Sequence, residues 1–338
     1  MKRLLVLKLA FIIWPTAIIL PTMITIVHAD EPVASKRFKA QAYSPLEFER
    51  MGIIATWEKY DGVLLWGKGQ TLVAMDDGCD MSVPEWKVKL PWGPKVVAGY
   101  DSVDNDDDPS PVPPGYHGTG IAFPSSLNYK GKLGVAYNNS VIQIRAVTIV
   151  HLRSDEAASL AMGLQWVIDN QKRYNITAIN LSPLDDQRHR RPVATVIDEK
   201  LTKLREQGVW VSAPCGNHGY TTGISWPACA SACFAIGAVK PAADIVHLDR
   251  FSNTDLTIPA TATSSSNAFI VGSAMILREA IEKSCFKWRR EGKTLPEAML
   301  AIFKKTGTEV TDPATGLHFR RPNLLAAVDY VFSESKPR

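Results

Sequence analysis

The chain has 338 residues, 46% of them hydrophobic and 21% charged. This composition excludes collagen-like, low-complexity and disordered classes, because it supplies ample apolar material for a core. At roughly 150 residues per domain the length admits two domains or one large α/β domain. The formal charge of +4 is unevenly placed: residues 1–29 hold Lys2, Arg3 and Lys8 and no acid, which leaves the rest at about +1 and gives no argument for a nucleic-acid partner.

The same 29 residues read as an export signal. Basic residues precede an uncharged stretch, residues 9–27, and Val27-His28-Ala29 forms a small-x-small cleavage site. A signal peptide 1–29 is expected, and with it a secreted or otherwise extracytoplasmic protein. An uncleaved anchor, the one route to a membrane, is the alternative; Pro15 and Pro21 argue against a stable spanning helix. Residues 30–50 read as a polar lead-in with no separate prodomain. Residues 51–332 follow as one domain, and 333–338 as a tail.

From there strand and helix patterns alternate. Short apolar runs predict strands at 71–75, 96–100, 141–147, 176–182, 209–213 and 234–239. Ser154 is placed to cap a helix whose first turn holds Asp155 and Glu156, and Leu160, Leu164, Val167 and Ile168 share one face of it. A second helix carries Val193, Val196, Ile197, Leu201 and Leu204 and stops at Gly208. Buried-looking strands joined by helices predict an α/β fold: a parallel, doubly wound sheet covered on both faces, three layers α/β/α. In such sheets reactive groups gather beyond the carboxyl ends of the strands.

Five cysteines, Cys79, Cys215, Cys229, Cys233 and Cys285, leave at least one unpaired thiol. No zinc spacing accompanies them, so no metal ligands are assigned; small buried thiols with room for one disulfide are expected. Residues 101–114 form an acidic, Pro-rich loop that is either a solvated loop or an oxygen-ligand site for a structural calcium, although it lacks the Gly and terminal Glu of an EF-hand. The basic run 188–191 reads as a solvated turn.

Four residues stand out for their chemistry. Asp76 closes the first strand in Leu72-Val73-Ala74-Met75-Asp76-Asp77-Gly78. His117 lies in the Gly-flanked turn Gly115-Tyr116-His117-Gly118-Thr119-Gly120. Asn217 follows a strand in Pro214-Cys215-Gly216-Asn217, where a carboxamide can point into a cleft. Ser264 opens an apolar helix after Thr263, followed by Ser265 and Ser266. Taken singly, Asp76 reads first as a turn cap and the serines as helix caps.

Together, in the order Asp, His, Asn, Ser and with Asp-x-Gly, His-Gly-Thr, Gly-Asn and Thr-Ser contexts, they resemble the subtilisin-like serine proteases. Gly67-Lys68-Gly69, Gly134-Val135-Ala136, Phe251-Ser252-Asn253 and the helix at 323–328 extend the resemblance over roughly residues 51–331. It implies acyl transfer on a polypeptide by a monomer that needs no cofactor for the chemistry. Asp76, His117 and Ser264 would be catalytic, Asn217 would donate to the oxyanion, and Ser182 and Gly216 would bind substrate. Several features depart from the family pattern. Ser182-Pro183-Leu184 lacks a permissive Gly, Ala262 replaces the Gly before Thr263-Ser264, and Ala268 takes the place of a Pro. The span from Ser252 to Ser264 is short enough to predict a missing sheet edge. Ser265 and Ser266 are therefore alternative nucleophiles, and a catalytically impaired, peptide-binding or structural member is the alternative function.

Overall fold

Every residue of the strand Thr71–Asp76 (β1) is buried, with none of the in–out alternation of a half-exposed strand. The alternation reappears as a division between two cores. Leu72 and Ala74 join one buried apolar cluster, while Val73 and Met75 join another on the opposite face. A strand whose two faces are both dry needs a layer on each side, and helices supply both. The computed structural model describes residues 33–113, 115–152 and 156–335.

Around β1 lie Val96–Asp101 (β2), Ser140–Arg145 (β3), Ile176–Leu181 (β4), Trp210–Pro214 (β5) and Phe234–Val239 (β6). Their order in the sheet is β2-β3-β1-β4-β5-β6, all parallel. The fold is thus the doubly wound α/β/α sandwich that the patterns predict. β1 sits at the reversal of strand order, with β3 on one side and β4 on the other, and this switch point opens a crevice at the carboxyl edge. The register brings Asp76 level with Arg145, and Met75 level with Leu181, one residue before Ser182.

On one face, the helix Ala157–Tyr174 (α1) buries Leu160, Leu164, Val167 and Ile168 as its periodicity predicts. Ser154, its expected cap, lies outside the described residues. Asp198–Glu206 (α2) begins later than expected. Val196 is 63% exposed, and the Asp198 carboxylate accepts from the Thr195 N–H at 2.9 Å, so residues 193–197 form the turn that leads into the helix. The other face is dominated by Thr263–Lys283 (α3), with 17 of its 21 residues buried. At roughly 1.5–3 kcal/mol for each buried large apolar side chain, it anchors that half of the core.

Two expectations change. Residues 33–50 are no lead-in: they form the helices Val33–Gln41 and Pro45–Arg50, and Phe38, Ala42 and Phe48 sit in the same core as α3. The sheet edge after Ser252 is also present. Leu256–Pro259 (β7), all four residues buried, pairs in parallel with β6 through Ile236↔Leu256 and Ala238↔Ile258.

All five cysteines are free, four of them buried, so no disulfide forms. Burial holds the Cys229 thiol up at about 11 and raises Cys79, Cys215 and Cys233 as well.

Candidate active site

Asp76 ends β1 almost fully buried, and the chain turns at once into Asp77. The helix His117–Ile121 begins where Asp77 can hold it: Asp77 Oδ2 accepts from the His117 N–H at 3.2 Å, and Oδ1 from the Gly118 N–H at 2.8 Å. Gly118 permits this approach, since a Cβ there would lie 2.2 Å from the Gly78 carbonyl oxygen. The His117 ring is thereby set against Asp76, with Nδ1 3.0 and 2.9 Å from the two carboxylate oxygens. An ionised carboxylate only accepts, so Nδ1 carries the proton and Nε2 of the neutral ring presents a lone pair.

Burial alone would lower the His117 pKa. The Asp76 charge and hydrogen bond, with the Asp77 charge behind them, outweigh it and hold the imidazole above its ordinary value. Asp77 is itself raised, by burial first and the Asp76 charge second, against the two N–H groups that stabilise its anion. Asp77 leaves one trace in the sequence, the doubled Asp in Met75-Asp76-Asp77-Gly78, and carries no motif of its own. Asp77→Ala leaves the buried Gly118 N–H and the part-buried His117 N–H without acceptors. We expect a stability loss of about 1–3 kcal/mol, read from urea unfolding at constant slope.

Asn217 is exposed at the end of the turn after β5, and its Oδ1 accepts from both the N–H (2.9 Å) and the hydroxyl (3.0 Å) of Thr263. A backbone N–H can only donate, so the carboxamide orientation is forced and Nδ2 is left free to donate. Gly216 is buried at φ +114°, donates its N–H to Thr263 Oγ1, and has no room for a Cβ, which would meet Asp249 Oδ2 at 2.2 Å.

Ser264 follows Thr263 at the start of α3, 8% exposed. Among the described residues its hydroxyl makes no hydrogen bond to His117. Ser265 is half-buried and lines a cavity together with His117. Ser266 is fully buried, its Oγ turned to the carbonyls of Ile258 and Ala262, which removes it as an alternative. Ala262 lies at φ −140°, ψ 147°, an extended conformation open to any residue, and Ala268 is buried within regular helix. Neither replacement strains the turn.

Ser182 does not face a cleft through its side chain. It is fully buried and its Oγ donates to Asn180 Oδ1 at 3.3 Å. Asn180 also accepts from Asn267 Nδ2 at 2.6 Å, and Asn267 bonds both the hydroxyl and the carbonyl of Ser212. This network ties the first turn of α3 to β4 and β5. It is not legible in the sequence, because Asn180, Ser212 and Asn267 are distant in the chain and carry no motif.

In the acidic loop, Asp101 and Asp104 both bind Arg145, at 2.5 and 2.6 Å. A cation there would displace that guanidinium, and among the described residues no three His, Cys, Asp or Glu side chains are grouped to hold a metal. The run 188–191 is more than a solvated turn. His189 Nε2 lies 2.7 Å from Asp185, and Arg188 and Arg190 lie over the rings of Tyr220 and Phe251.

With Asp76, His117, Asn217 and Ser264 gathered at one sheet edge, comparison with known proteins gives a consistent answer. The Subtilase family matches residues 67–293. The chain belongs to the subtilase family. The family is one of serine proteases, which are hydrolases. A thermophilic serine proteinase of Bacillus sp. (strain AK1) is 27% identical over 272 residues, 78% of this chain and 62% of that protein. An intracellular serine protease of Paenibacillus polymyxa is 21% identical over 71% of this chain and 74% of its own. Subtilisin-like protease 3 of Arthroderma benhamiae is 22% identical over 73% and 60%. This subtilase therefore spans under two thirds of the first of these relatives.

Proposed function

We propose that this subtilase is an endopeptidase that cuts polypeptides through an acyl-enzyme, with Asp76, His117 and Ser264 as its triad and Asn217 as oxyanion donor. Ser264 Oγ attacks the peptide carbonyl carbon while His117 Nε2 takes its proton. The oxygen that becomes negative accepts from Asn217 Nδ2. The C–N bond then breaks as His117 returns the proton to the leaving amine; water, deprotonated in turn by His117, adds to the ester, and the acyl C–Oγ bond breaks as that proton passes to Ser264 Oγ. The observation that carries this reading is the pairing of His117 Nδ1 with both Asp76 oxygens. No metal or cofactor enters any step. The export-like residues 1–29 support action outside the cytoplasm, and among the described residues no helix is long and apolar enough to cross a membrane.

A second reading, a peptide-binding member without turnover, is favoured by the missing Ser264–His117 hydrogen bond. In free enzymes such contacts often tighten only when substrate binds, so covalent labelling decides between the two. A fluorophosphonate probe is expected to modify one serine, mapped to Ser264 by peptide sequencing. A folded chain that stays unlabelled supports the binding module.

Asn217→Asp keeps an acceptor for Thr263 and deletes the Nδ2 donor. We expect kcat to fall about 100- to 1000-fold with KM little changed. Equal loss in KM would assign Asn217 to substrate binding instead.

A further inference from the structure

A cavity of about 370 Å³ opens beside His117, and part of its wall lies outside the matched residues 67–293. Tyr43, Ser44 and Glu47 form that part, facing His117, Ser265 and Phe269. The wall is fixed in place. The Tyr43 N–H donates to the Leu133 carbonyl at 2.9 Å. Phe48 is fully buried edge-on against Phe269, with ring centroids 5.5 Å apart. Arg50 binds the carbonyls of Lys240 and Pro241, both at 2.8 Å. Glu47 is half-buried, and among the described residues its carboxylate has neither an ion pair nor a hydrogen bond. Among the described residues it is the cavity's only carboxylate, and no Lys or Arg lines the cavity.

The chemistry gives this cavity a side. His117 returns its proton to the leaving amine, so the residue after the scissile bond must pass His117. Asn217, Gly216 and Ser182, the residues expected to hold the acyl side of the substrate, are not among the residues that line the cavity. We propose that Glu47 makes this subtilase select a lysine or arginine side chain in the residue that follows the scissile bond. The carboxylate pairs with the cationic head, and the rings of Tyr43 and Phe269 cover the aliphatic stem. This rests on the proposed endopeptidase activity and adds to it a specificity-determining residue drawn from the segment before the family match.

The test uses quenched fluorescent peptides that differ only after the cleaved bond, with Arg, Lys, Gln or Glu there, on the wild-type chain, Glu47→Gln and Glu47→Lys. In the wild type kcat/KM is expected to favour Arg over Glu on the order of fivefold, as suits a half-buried pair, and less so at high salt. The ratio should approach one in Glu47→Gln and invert in Glu47→Lys. Because each ratio is taken within one protein, a partly unfolded variant does not alter it. Cleavage with the same ratio in all three proteins overturns the assignment of Glu47 and leaves the endopeptidase reading intact. A wild type that takes up no fluorophosphonate and cleaves none of the peptides overturns both.

Discussion

Ser264→Ala is expected to lower peptide hydrolysis by about a millionfold and to abolish fluorophosphonate labelling. Members of a triad act as one unit, so removing the nucleophile alone forfeits nearly the whole covalent pathway. The assignment rests on what holds each of three adjacent serines. Thr263 is pinned through its N–H to Asn217 Oδ1, which fixes where the next residue emerges at the start of α3. Ser266 is turned into the core. Ser265 lines the cavity at His117, where a side chain contacts the leaving part of the substrate. Ser265→Ala is accordingly expected to stay within about tenfold of wild type, as suits a positioning contact. A collapse of activity in Ser265→Ala, with Ser264→Ala near normal, would move the nucleophile by one residue. Because Ser264 makes no hydrogen bond among the described residues, its truncation should leave the unfolding midpoint almost unchanged.

The parallel sheet was legible because strands buried on both faces are written as continuous apolar runs, and the six expected runs coincide with β1 to β6. Periodicity also placed α1. It overreached at Val193 and Val196, where apolar residues continue the helical spacing through a turn closed by Asp198. The N-terminal segment reads as polar because its charged residues outnumber its anchors; Phe38, Ala42 and Phe48 tie it to the core. Asp76 and His117 were legible through short motifs with Gly beside them. Their neighbour Asp77 was not, since its work is to accept from two backbone N–H groups, and backbone donors leave no mark in sequence. The Asn180–Asn267–Ser212 network escaped for a related reason: buried polar side chains that bond one another across distant elements look, singly, like any other strand or helix residue.

Asp76→Asn is expected to lower kcat about 10⁴-fold while changing the pH profile in a fixed direction. An amide can turn its NH₂ toward His117 Nδ1, which places the ring proton on Nε2 and leaves no base facing Ser264. The direction in pH follows from what raises His117. Burial opposes the charged ring, and the Asp76 charge and hydrogen bond overcome it, with Asp77 adding to them. Activity needs the neutral ring, so the wild-type acid limb should lie above the ordinary imidazole value of 6.5. With the carboxylate gone, the largest remaining influence is burial, and the limb should move to lower pH. Stability has its own sign. A histidine whose folded pKa is raised contributes fully below its unfolded value and loses that contribution as pH rises through the folded one. The part of the Asp76→Asn destabilisation that belongs to the ion pair should therefore be present in acid and vanish on the alkaline side. A residual rate with an unmoved limb, together with a stability difference independent of pH, would show that Asp76 holds the His117 ring by shape alone.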